Sequence, residues 1–227
     1  MITDFILRAG LAIVPIMVAI ILHELAHGYA ALALGDTTAR DQGRLSLNPI
    51  RHIDRMGTII LPAFLLISQL LTIGRVAFMF GWAKPVPVSA WKFPSPRRGM
   101  ALVAIAGPLM NFFLAWLTAL ALRYTADANV GGSWTTLLFD FMLVNLVLGL
   151  FNLLPIPPLD GGRVVAGLLP EHLVNPWAKL ERYGLLIVLL AVIALPNLLG
   201  INPIGDVLDA VLPRAFRAVF WLAGYHE

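Results

Sequence analysis

Cysteine is absent from all 227 residues. That excludes disulfides and thiolate metal ligands together, so any metal site must use His and carboxylate donors. Charge is scarce too: Asp, Glu, Lys and Arg make up 13% of the chain, against 59% hydrophobic residues and a mean hydropathy of +0.83. A soluble domain hardly tolerates that balance, whereas a helical membrane protein requires it. No internal repeat is visible, and the stretches between apolar runs stay under about 30 residues, too short for an independent domain. The net charge of +3 and pI near 9.6 call for no nucleic acid, because basic residues belong in the cytoplasmic loops of a membrane protein. Residues 1–227 read as one integral membrane domain. The first apolar run is too long for a signal-peptide core and lacks a cationic start, so it reads as mature structure.

A helical span needs about 20 apolar residues, and candidates lie at 5–34, 99–122, 134–154 and 183–200. The run 57–71 is shorter, carries Pro62, and continues into the strand-like Val76 to Trp82. The tail 203–222 sets Asp206, Asp209, Arg214 and Arg217 on one helical face and Val207, Leu208, Val211 and Val219 on the other, which suits either an interfacial helix or a last span. Lys and Arg placement bears on the 57–82 region. If it enters and returns on one side, loops 35–56, 84–98 and 155–182 put eleven basic residues on one face against two opposite; a full crossing gives eight and five. The positive-inside rule favours re-entry. Gln42 to Asn48 alternates like a strand, and Val76 to Val88 ends in Pro85 and Pro87, which suit a sheet edge. The expected fold is therefore an all-α, multi-span helical bundle of about 5 to 6 membrane segments, with a small membrane-associated β-sheet and a re-entrant region near 57–82.

His23-Glu24-Leu25-Ala26-His27 lies inside the first apolar run. Ionisable side chains are costly at membrane depth unless they act. Residues four apart on a helix share a face about 6 Å apart in rise, so both imidazoles can reach one ion, with Glu24 alongside to take a proton from a water held there. Chance placement, with the histidines merely bonding neighbouring helices, leaves several buried polar groups needing separate partners. A hydrolytic zinc site is still one protein ligand short. Asp160, in Asn152 to Gly162, is the candidate: three prolines stop the preceding helix and two glycines follow. It suits a helix cap equally well, but in the re-entrant topology it arrives on the same face as His27.

The chain resembles the site-2 protease family of intramembrane zinc metalloproteases, peptidase family M50, in its compact bacterial-type branch. The resemblance rests on His23 to His27, Asn152 to Gly162, Ala106 to Asn111 and Gly81 to Pro87, within residues 20–165. It implies a catalytic core at about 5–165 with C-terminal helices over 183–222, one Zn2+ per chain on His23, His27 and Asp160, and Glu24 as base. It also implies a single-pass membrane protein as substrate, usually trimmed beforehand by another protease. The expected setting is the lipid bilayer of the cell membrane, with the site toward the cytoplasm.

Asn152 is expected to donate to the developing oxyanion, with Asn145, two turns away on the same helix face, as a second candidate; interhelical hydrogen bonding is the alternative for both. Substrate must become extended to be cut, so 42–48 and 76–88, including Phe78 and Phe80, are candidates to hold it as an added strand. His52, His172 and His226 read as solvated, and Asp36 and Asp54 as loop residues. The rival function, a metal-binding transporter or channel, would need paired broken helices in two similar halves.

Overall fold

With so few polar side chains to satisfy them, the backbone groups of each long apolar run must bond within the run, and a helix does that. The computed structural model, which describes residues 2–76, 79–127 and 132–226, is correspondingly helical. Helix α1 spans Ile2–Ala33 and is stopped by Gly35, whose φ of 98° is unfavourable for other residues. Helix α2, Arg55–Ile73, starts where the Asp54 carboxylate accepts the Met56 and Gly57 amides. Then follow α3 (Pro96–Asp127), α4 (Ser133–Asn152), α5 (Asp160–Leu168), α6 (Glu171–Glu181), α7 (Gly184–Leu199) and α8 (Pro203–Leu222).

Helix α3 is central, packing against α1, α4 and α5. Its Ala115 and Ala119 are fully buried against Met142 and Leu146 of α4 and Val219 of α8. Small residues at such a seam let helix backbones approach where lipid supplies no hydrophobic drive. Helix α8 turns Ile204, Leu208, Leu212 and Val219 inward and leaves Asp206, Asp209, Arg214 and Arg217 exposed.

Four helices are long and apolar enough to cross a membrane: Ile13–Ala33, Arg55–Ile73, Pro96–Thr125 and Trp134–Asn152. The bent pair α6 and α7, at 71° to each other, makes a fifth. The expected five to six segments are thus four to five among the described residues. The 57–82 region contains a 19-residue helix rather than a short re-entrant segment. None of Leu61–Ile73 is buried, and the chain then runs back along it, where the Trp82 amide donates to the Gly57 carbonyl at 3.2 Å and the Lys84 amide to that of His52 at 2.8 Å.

The expected β-sheet is absent among the described residues. Residues 42–48 spend their backbone groups on local turns, as in Gly43 to Arg40 and Arg44 to Ala39. In the extended stretch 79–89, the amides of Trp82, Lys84 and Val86 each find a different partner: Gly57, His52 and the Glu24 carboxylate. Pro85 and Pro87 have no amide to offer on the other edge. Alternation resembled a strand, but among the described residues no backbone ladder joins it to a second segment.

Residues 82–89 instead form a strap across the inner part of α1. Besides those bonds, Arg44 donates to the carbonyls of Lys84 and Pro85, at 2.9 and 3.3 Å. The strap ends at Asp36, fully buried, whose carboxylate accepts the Ser89 amide at 2.6 Å and meets Lys92 Nζ at 3.1 Å. Burial pushes the Asp36 carboxyl up, but donation from the Thr38 hydroxyl and amide, Ser89 and Lys92 outweighs it and holds the group at about 2. A pKa depressed on folding contributes stability that is complete above the unfolded value near 4 and is lost as pH falls toward about 2, here about 2 kcal/mol. Asp36→Asn should therefore melt below the parent at pH 7, and the gap should close as pH falls from about 4 to about 2. A gap of equal size at both ends of that range would show that the charge of Asp36 is not what anchors the strap.

Candidate metal centre and active site

His23 and His27 lie one turn apart on the buried face of α1, at 5% and 9% exposure. Asp160, at the first position of α5, is 7% exposed. It gets there because Pro155, Pro157 and Pro158 end α4 and fold the chain back. Gly161 completes the turn, since a Cβ there would overlap the Leu153 carbonyl. The ring atoms Nε2 of His23 and His27 stand 3.0 Å apart, and each lies 3.1 to 3.2 Å from Asp160 Oδ2.

The remaining ring nitrogens are committed. His27 Nδ1 lies 2.7 Å from the Val103 carbonyl, which can only accept, so Nδ1 carries the hydrogen. His23 Nδ1 bonds Asn111 Oδ1 at 2.6 Å. In neutral rings both Nε2 atoms therefore present lone pairs to one another and to a carboxylate, which is repulsive unless a cation sits among them. Asp160 brings a carboxylate as the third donor. Asp160 Oδ2 is buried with no hydrogen-bond partner of its own. Donors about 2.0 to 2.2 Å from a tetrahedral ion stand about 3.3 to 3.5 Å apart; these three are slightly closer and converge on one point. Two imidazoles, a carboxylate and no thiolate suit zinc with a fourth position open.

Gly107 of α3 is what lets the rings sit there. A Cβ at 107 would stand 2.5 Å from His27 Nε2 and 2.6 Å from His23 Cε1. One residue on, Pro108 has no amide for the α3 ladder.

A cavity of about 570 Å³ adjoins the three donors and is lined by Glu24, Phe80, Trp82, Val86, Asn152 and Arg163 among others. Glu24 is half-buried and its Oε2 accepts the Val86 amide at 2.8 Å, which leaves Oε1 as the oxygen free to act. Asn152 also faces the cavity, with Nδ2 spending one of its two hydrogens on the Leu148 carbonyl at 3.0 Å. Phe80 is in the wall, while Phe78 falls outside the described residues.

Asn145 is placed differently from the expectation. It is fully buried, absent from the cavity wall, with Nδ2 on the Phe141 carbonyl and Oδ1 on Asn111. His52 also departs from its reading as solvated: at 4% exposure it bonds the Ser46 carbonyl through Nε2. His172 and His226 are exposed, Asp54 caps α2 and Asp36 anchors the strap. Sequence reasoning singled out neither Asn111 nor Gly107 individually; both lie in the Ala106 to Asn111 stretch.

Among known proteins, the family model described as peptidase family M50 matches residues 121–195, which include Asp160 but not the histidine pair. YwhC of Bacillus subtilis is 39% identical over 223 residues, covering 92% of this chain and 91% of that protein. Rip2 of Mycobacterium tuberculosis is 29% identical over 184 residues, 81% of this chain and 66% of its own. MJ0392 of Methanocaldococcus jannaschii is 30% identical over 156 residues, 69% and 33% respectively. All three carry zinc metalloprotease in their names. No solved structure matches the chain.

Proposed function

The chain belongs to peptidase family M50 and is a multi-pass membrane zinc metalloprotease, and we propose that it cuts peptide bonds within or near the membrane segments of single-pass membrane proteins. The convergence of His23, His27 and Asp160 at 3.0 to 3.2 Å beside a free carboxylate oxygen of Glu24 carries this reading. Those three residues would hold the ion. When bound, zinc supplies Lewis acidity, polarising the substrate carbonyl and acidifying the attacking water.

The protein's own groups do the rest. Glu24 Oε1 takes the proton of the water as its oxygen bonds the carbonyl carbon, then delivers that proton to the amine as the C–N bond breaks. Val86 holds the other oxygen of Glu24, so the base keeps its aim. The second Nδ2 hydrogen of Asn152 is available to the oxyanion. A cavity of about 570 Å³ gives an extended peptide room beside the metal donors. That suits a substrate already trimmed by another protease, whose segment unwinds more readily. Phe80 and Trp82 supply apolar contact for its side chains.

Glu24→Gln should abolish cleavage of a membrane-protein substrate while zinc stays bound, because the amide keeps the shape and loses the base. Asp160→Ala should lose zinc and activity together. Turnover by zinc-replete Glu24→Gln would remove the base assignment, and full zinc occupancy in Asp160→Ala would remove that ligand.

Because the chain returns along α2 to Gly57 and His52, loops 35–56, 84–98 and 155–182 share one face, and their eleven basic residues support an active site toward the cytoplasm. In this cysteine-free chain, single cysteines replacing the exposed Arg51 and Arg98 should react with an impermeant thiol reagent only from the cytoplasmic side. Labelling of both from outside intact cells would invert the orientation.

A further inference from the structure

The two histidines are oriented by unlike partners. His27 is held by a main-chain carbonyl, whereas His23 sits at the end of a side-chain relay across three helices. Its direction can be read from the far end. The Phe141 carbonyl only accepts, so the group facing it at 2.8 Å must be the Asn145 NH2. Asn145 Oδ1 is thereby turned to Asn111 and accepts from its Nδ2 at 2.9 Å. Asn111 Oδ1 then faces His23 Nδ1 at 2.6 Å and can only accept. Both asparagines are fully buried.

We propose that Asn111 and Asn145 are positioning residues, which fix His23 with its hydrogen on Nδ1 and so aim the Nε2 lone pair at the metal point. This rests on the zinc reading above. Two buried amides could serve only to join helices α1, α3 and α4. A joint of that kind needs no particular direction, whereas this one terminates on a ligand in the one sense that leaves Nε2 unprotonated. An outer partner of this type commonly accounts for about 10- to 100-fold in metal affinity. The hydrogen bonds of Asn145 go to Asn111 and Phe141, and none goes to His23. It acts by denying the Asn111 amide its flipped orientation, in which an NH2 would face His23 and favour the other tautomer.

The test is zinc affinity of the purified full-length protein, measured by chelator competition, alongside melting of the zinc-free protein. Asn111→Leu should weaken zinc about 10- to 100-fold. Asn145→Leu should weaken it by a smaller factor, and the double variant should bind like Asn111→Leu alone, since the second link has nothing left to orient. Asn111→Asp should restore most of the affinity, because its carboxylate still accepts from Nδ1. If Asn111→Leu does not fold, Asn145→Leu and Asn111→Asp carry the comparison. Zinc affinity equal to the parent's in Asn145→Leu, and in Asn111→Leu if it folds, with only melting lowered, would reduce the pair to a helix joint and overturn the proposal. The outcomes separate from those of the zinc reading: if the parent fails to retain zinc, or His23→Ala retains it fully, both fall; if those behave and the leucine variants bind normally, only the relay falls.

Discussion

Two imidazole nitrogens with lone pairs facing each other at 3.0 Å, closed off by a buried carboxylate, cannot be an end in itself. In water such groups would turn apart and solvate separately; here the outer ring nitrogens are pinned by Val103 and Asn111, and Gly107 clears the space the rings occupy. A cation at its centre relieves that repulsion, and the bonds to Val103 and Asn111 hold the cluster ready for one. Helix α3 is central for that reason: the segment from Val103 to Asn111 supplies a carbonyl, a gap and an amide to the two histidines of α1.

The strap connects this centre to the cavity. Its alternate amides fasten it inward to Gly57, His52 and Glu24, and Arg44 and Asp36 secure its carbonyls and its far end. One of those fastenings is Glu24, the proposed base. The geometry of Glu24 is therefore coupled to the position of a segment that also walls the cavity.

Much of this could be seen in the residues beforehand. A four-residue histidine spacing specifies one face of a helix irrespective of context, so the histidine pair was accessible from local rules. Asp160 suited a helix cap equally well and was joined to the pair only through topology and the family resemblance. The helices were accessible too, because lipid leaves the backbone no other choice. What escaped depended on contacts between distant segments. Gln42 to Asn48 and Val76 to Val88 have the alternation of strands, but Arg44, His52 and Glu24 take the groups that a ladder would need. His52 has no apolar pattern to mark it as buried. Asn111 and Asn145 lie 34 residues apart, and Asn111 and His23 lie 88 apart; nothing local reveals that the three are bonded in series.

The geometry of the three donors calls for a single zinc on two imidazoles and one carboxylate. X-ray absorption at the zinc edge of the purified, zinc-loaded protein tests it without reference to any substrate. The expected spectrum has only nitrogen and oxygen neighbours at about 2.0 to 2.2 Å, with outer-shell scattering from two imidazole rings. One ring's worth of scattering, or none, would contradict the account.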